Sequence, residues 1–105
     1  PQAVFEPSFL DVVGPLEILG RMLANLERAA LMANDLEMVE WILGLALVMP
    51  SADFGVYRRR AKVLAGLGRV ADAAALWERL AGEARDDDVI AHAAQAARDL
   101  RASLN

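Results

Sequence analysis

The chain has 105 residues, of which 56% are apolar and 25% are charged, which predicts one soluble globular domain and not a disordered chain. Its formal net charge of −4 disfavours nucleic-acid binding, which depends on neutralising phosphates. The absence of cysteine excludes disulfides, zinc–thiolate sites and a cysteine nucleophile within these residues.

Residues 1–14 are predicted to be a linker from a missing upstream domain, because they contain two prolines and precede the first helical pattern. Phe5 and Phe9 are expected to lie on the helical body, since a solvated linker does not need them. Pro15 suits the first turn of a helix. Apolar residues then recur at spacings of three and four as far as about Met32: Leu19, Met22, Leu23, Leu26, Ala29 and Ala30.

A central helix is predicted between Asp35, as its N-cap, and Pro50, which stops it. From Trp41 to Met49 no residue is polar, and a helix that is apolar all round must be buried on more than one side. The run is too short for a bilayer span, which needs roughly 20 residues. We therefore expect neighbours on two sides of this helix, with Trp41 and Trp77 in the core or in a helix–helix seam.

Three more helices are predicted after Pro50. Ser51 or Asp53 is expected to cap the third helix, and residues 67–69 (Leu-Gly-Arg) indicate its end and the start of the fourth. Residues 86–88, three aspartates, are predicted to cap the fifth helix, because they lack the alternation and glycine of a calcium loop. The fifth helix is alanine-rich with one polar face, which suits a closing helix.

Sliding the chain by 34 positions aligns Val39 with Ala73 and Leu43 with Trp77, and residues 34–36 with residues 68–70. A helix–turn–helix period of this length is typical of tetratricopeptide arrays, although Glu27 and Leu80 stand where that pattern has small residues. The predicted fold is all-α: a tetratricopeptide-like right-handed superhelix within residues 15–105. It consists of two helical hairpins, at residues about 16–49 and 54–84, and a C-terminal capping helix at about 87–104.

Residues 17–26 (Glu-Ile-Leu-Gly-Arg-Met-Leu-Ala-Asn-Leu) resemble a segment of the bacterial SirB-type transglutaminase-like proteins. In that family the segment opens a C-terminal tetratricopeptide-like region. Four shorter stretches are also similar to that family. Residues 34–35 correspond to its Gly-Asp turn and residues 49–50 to its Asp-Pro helix stop. Residues 58–61 are similar to its Arg-Asp-Arg-Gly and residues 67–69 to its Leu-Gly-Arg. The similarity covers residues about 10–85, with Arg59 replacing an acid and Ala61 a glycine. The resemblance implies a bacterial, cytoplasmic parent whose Cys, His and Asp triad lies upstream, and none of that triad maps onto this chain.

No catalytic, cofactor or metal site is predicted. The serines all stand at predicted helix ends or caps: Ser8, Ser51 and Ser103. Asp88 and His92 are one helical turn apart, but two ligands alone make a weak metal site, and a surface pair is the commoner arrangement.

A basic groove is the candidate binding site. In tetratricopeptide geometry the first helix of each hairpin lines the concave face, so six residues are predicted to lie there: Arg21, Asn25, Arg28, Arg58, Arg59 and Lys62. Such a cluster could clamp the carboxylates of an acidic peptide or C-terminus. The alternative is a solvated basic face whose positive charges complement Glu17, Glu27 and the upstream domain.

Three functions remain open. The preferred one is a non-catalytic protein–protein interaction or scaffolding module, without enzyme activity, attached to a transglutaminase-like protein. The second is a structural domain that packs on the upstream catalytic domain and shapes its cleft. The third is a homodimerisation module, since exposed apolar surface is typical of interfaces. Neither a nucleic acid nor a membrane is predicted as a partner.

Overall fold

The computed structural model describes residues 14–104, which form five helices and no strand. They are α1 Pro15–Met32, α2 Leu36–Leu47, α3 Phe54–Gly66, α4 Val70–Glu83 and α5 Asp87–Ser103. The prediction of an all-α chain is therefore confirmed. The predicted linker, apart from Gly14, lies outside the described residues.

Aspartates begin three of the helices because their side chains accept hydrogen bonds from the free N–H groups of the first turn. Asp35 accepts from the Met38 N–H at 3.1 Å, and Asp53 accepts from the Val56 N–H at 3.3 Å. Asp86 accepts from two backbone N–H groups, those of residues 88 and 89. The caps that the sequence predicts are thus in place, and at α3 Asp53 has the role, not Ser51.

The turns that join α1 to α2 and α3 to α4 repeat each other at the 34-residue period. Asn34 and Gly68 both have a positive φ, at 57° and 81°. After each, a backbone N–H donates to the carbonyl five residues earlier: Asp35 to Ala30 at 2.9 Å and Arg69 to Leu64 at 2.8 Å. The same local chemistry therefore closes both hairpins.

The helices pack mainly against their neighbours in the chain, and two groups of buried side chains hold them together. One joins α1 to α2: Leu23, Ala30, Val39, Ile42 and Leu43. The other joins the end of α2 to α3, α4 and α5: Leu47, Ala61, Leu64, Ala73, Leu76, Trp77, Leu80, Ala93 and Ala97. Partly buried Val56 contacts both groups, so α3 connects the two halves of the molecule.

The central helix packs against α1 and α3, the neighbours on two sides that its all-apolar run predicts, but a further side of it stays exposed. Leu43 is fully buried, whereas Trp41 is 59% exposed and Val48 is 80% exposed. Trp41, which was predicted to lie in the core or in a helix–helix seam, is therefore largely exposed, whereas Trp77 lies in the core. Because every residue of this run is apolar, the sequence pattern carries no information on which face would be covered.

Candidate functional site

Helix α3 presents three of its four cations to solvent because its buried residues, Ala61 and Leu64, occupy the opposite face. Arg58, Arg59 and Lys62 are all exposed. Two depressions lie on either side of this row of side chains, and Lys62 lines both of them.

The first depression, here called groove A, lies where α1, α2 and α3 meet and has a volume of about 410 Å³. Most of its lining is apolar: Leu31, Leu36, Val39, Leu43, Val63 and Gly66. Its charged lining consists of Glu27, Arg59 and Lys62. An apolar depression with few charged groups at its rim is typical of a site that takes an apolar side chain and orients it by one polar contact.

The second depression, groove B, lies beside α3 and α5 and has a volume of about 320 Å³. Arg58 and Lys62 contribute two positive charges to it, and Asp99 contributes one negative charge. Asp99 already accepts a hydrogen bond of 2.8 Å from the Gln95 amide. The remaining lining is Ala61, Ala65, Trp77, Ala96 and Leu100.

Arg59 is engaged within the protein. Its Nε donates to Glu27 Oε2 at 2.8 Å, and its second nitrogen donates to Glu27 Oε1 at 3.4 Å, so the guanidinium forks onto a carboxylate of α1. Within residues 14–104, Arg58 and Lys62 make no such ion pair, and they are the cations of α3 that remain available to a ligand. The sequence pattern marked Glu27 as unusual, since a small residue is expected there, but did not identify its partner.

The predicted α1 members of the basic cluster share one exposed face but line neither groove. Arg21 pairs with Glu17 at 3.2 Å within its own helix. Arg28 donates to the Asn25 side chain at 3.3 Å. The six predicted residues thus divide into a ligand-accessible pair on α3, an arginine engaged by Glu27, and a separate α1 row whose role stays a prediction.

Arg60, next to these cations in sequence, points the other way. Its Nε and a terminal nitrogen both donate to Glu40 Oε1 of α2, at 3.0 and 2.6 Å. Gly44 makes room for this guanidinium, since a Cβ at that position would lie 3.3 Å from an Arg60 nitrogen. Both side chains are largely covered, so this pair positions α3 on α2 and is not a ligand site.

His92 and the pair of Glu78 and Arg101 have structural roles. His92 packs edge-on against Phe54 and Trp77, with its ring centroid 5.2 and 5.5 Å from theirs. A hydrogen bond from Arg101 lowers the pKa of Glu78 below its ordinary value and joins α4 to α5. Within residues 14–104, no three His, Asp or Glu side chains come together as metal ligands would.

Comparison of the chain with protein-family models, curated proteins and solved structures gives no match. None of the five helices described here is both long and apolar enough to cross a membrane.

Proposed function

We propose that this domain is a non-catalytic interaction module that binds an acidic peptide segment along α3. In this proposal the two hairpins form a tetratricopeptide-like right-handed superhelix, and the parent is a bacterial, cytoplasmic transglutaminase-like protein. The repeated turns at Asn34 and Gly68 support the arrangement of the hairpins, because a 34-residue helical repeat is typical of such arrays.

The observation that carries the proposal is the position of Lys62 between two depressions. Groove A offers an apolar pocket for one side chain of the peptide, and Lys62 stands at its rim. Arg58 and Lys62, one helical turn apart, supply donors for a carboxylate that follows or precedes that side chain. Asp99 disfavours a second carboxylate deep in groove B, so the preferred ligand carries its acids on the α3 side.

The test is titration of a fluorescent peptide that contains a leucine flanked by aspartates, at low and high salt. The Arg58→Glu/Lys62→Glu variant is expected to lose at least about tenfold in affinity, because it replaces two attractive contacts by repulsive ones. The matched control is Arg85→Glu/Arg98→Glu, which makes the same change in net charge at exposed positions outside both grooves. Equal loss in both variants, or no binding by the wild type, would refute the proposal.

A structural role against an upstream domain is the second candidate, and the exposed apolar side chains of α1 and α2 favour it. A homodimer would use the same surface. A molecular mass in light scattering that rises with concentration would select the homodimer over both other functions.

A further inference from the structure

Two matching rows of exposed apolar side chains lie on α1 and α2. Leu19, Met22 and Leu26 are exposed on α1, and Met38, Trp41 and Leu45 are exposed on α2. In each row the residues are spaced by three and then by four positions, so each row runs along one face of its helix. We call the six residues together the apolar stripe.

Both rows face away from α3. On α1, Glu27 is the residue that reaches Arg59 of α3, and the exposed row lies on the other flank of buried Leu23. On α2, Glu40 and Gly44 face Arg60 of α3, and the exposed row lies on the far side of that helix. Because α1 packs against α2, the two rows border the same seam, at the end of the stack that α3 leaves open.

The second hairpin indicates what belongs on the α1 row. In the 34-residue repeat, Met22 of α1 corresponds to Val56 of α3, and Leu26 of α1 corresponds to Arg60 of α3. Val56 packs against both groups of buried side chains, and Arg60 pairs with Glu40, so both positions of α3 contact the chain that precedes α3. By the same stacking, the α1 row is the place for the chain that precedes α1.

The repeat does not explain why the α2 row is apolar. Its equivalents in α4 are Asp72, Ala75 and Arg79, all exposed and none of them large and apolar. The large apolar residues at these positions, Trp41 above all, therefore belong to something particular to the first hairpin. A surface of this kind marks a contact with another segment or molecule.

We propose that residues 1–13 of this chain dock on the apolar stripe. This segment precedes Gly14 and α1 and carries six large apolar side chains, Val4, Phe5, Phe9, Leu10, Val12 and Val13. Its reach is ample: 13 extended residues cover up to about 43 Å, whereas the α1 row from Leu19 to Leu26 is about 10 Å long. The docked segment occupies the position that α2 and the following loop occupy for α3.

The test measures quenching of tryptophan fluorescence by acrylamide in the full 105-residue chain. Trp77 is buried, so the quenchable emission reports Trp41, one of two tryptophans. Docking predicts that little of the emission is quenchable in the wild type. In Phe5→Ser/Phe9→Ser the quenchable fraction should rise towards half, because Trp41 loses its cover. The control is Gln2→Ser/Glu6→Gln, which changes polar side chains of the same segment and should leave the wild-type value.

Two results would overturn the proposal. In the first, the wild type already has about half of its emission quenchable and the Phe5→Ser/Phe9→Ser variant has the same value. In the second, Trp41 is protected in both proteins and protection disappears on dilution, with a dimer mass in sedimentation, which would make a second copy the occupant. Neither result depends on peptide binding along α3, so the outcome is independent of the proposed function.

Discussion

Replacing Arg59 by methionine is expected to destabilise the domain more than replacing its partner Glu27 by the same residue. The two side chains form one forked ion pair between α1 and α3, with a shortest distance of 2.8 Å. Their surroundings differ, because the Arg59 side chain is 51% exposed and that of Glu27 only 12%. The asymmetry in burial decides which deletion is worse.

The magnitude follows from what each deletion leaves behind. The pair itself contributes up to about 1 kcal/mol, since solvent screens the arginine. Arg59→Met removes that and also leaves a mostly covered carboxylate without its donor, which costs about 1–3 kcal/mol in a buried site and falls in the lower part of that range here. We therefore expect a loss of about 1.5–2.5 kcal/mol from Arg59→Met. Glu27→Met leaves an arginine that turns into water, so we expect a change within about 0.5–1 kcal/mol of wild type.

The assay is urea unfolding followed by far-ultraviolet circular dichroism, with both single variants and the double variant in one cycle. The double variant should be more stable than Arg59→Met alone, because it contains no stranded carboxylate. Arg98→Met, at an exposed position of α5, is the control and should stay within about 0.5 kcal/mol of wild type. The reasoning is refuted if Glu27→Met is at least as damaging as Arg59→Met, or if the double variant is no better than Arg59→Met.

Three further predictions concern the fold. Leu43→Ala should cost about 2–5 kcal/mol in urea unfolding, because Leu43 is fully buried between α1 and α3 and the lost side chain leaves a cavity; a cost below about 1 kcal/mol would contradict that packing. Gly68→Ala should lower the free energy of unfolding by about 1–2 kcal/mol, since a residue with a side chain is strained at a φ of 81°. Asn34→Gly at the equivalent turn should be neutral or slightly stabilising. The two variants are compared by thermal unfolding. Glu78→Gln should lower stability at neutral pH and lose this effect in acid. The Arg101 hydrogen bond lowers the folded pKa of Glu78 from 4.5, so its stabilisation is present above the unfolded value and disappears as pH falls through the folded one; a wild-type advantage that persists at the lowest pH would contradict this.

Much of the helical framework could be predicted because local chemistry determines it. Asp35, Asp53 and Asp86 cap helices through bonds to residues two or three positions away, and Gly68 supplies the positive φ that ends α3. The 34-residue period is likewise a property of the sequence, and it reappears in the hydrogen bonds of the two turns. Each of these features depends on neighbours in the chain.

The candidate site was predictable only as a group of cations. Arg58, Arg59, Arg60 and Lys62 are close in sequence, but whether each is free depends on carboxylates far along the chain. Arg59 reaches Glu27, 32 positions away, and Arg60 reaches a carboxylate of α2 that is 20 positions away. Such pairs form only when helix packing brings the side chains within hydrogen-bond distance, which no local pattern specifies.

The sequence by itself determined that this chain makes five helices, three of them capped by aspartates, and that the turns after α1 and α3 repeat at 34 positions, because capping and helical periodicity act within one or two turns. Tertiary structure alone decided that Trp41 lies on the outside, since in an all-apolar helix the covered face is chosen by the neighbouring helices and not by the helix itself. Helix packing likewise decided that Arg58 and Lys62 line groove B, whereas Arg59 forms an ion pair with Glu27.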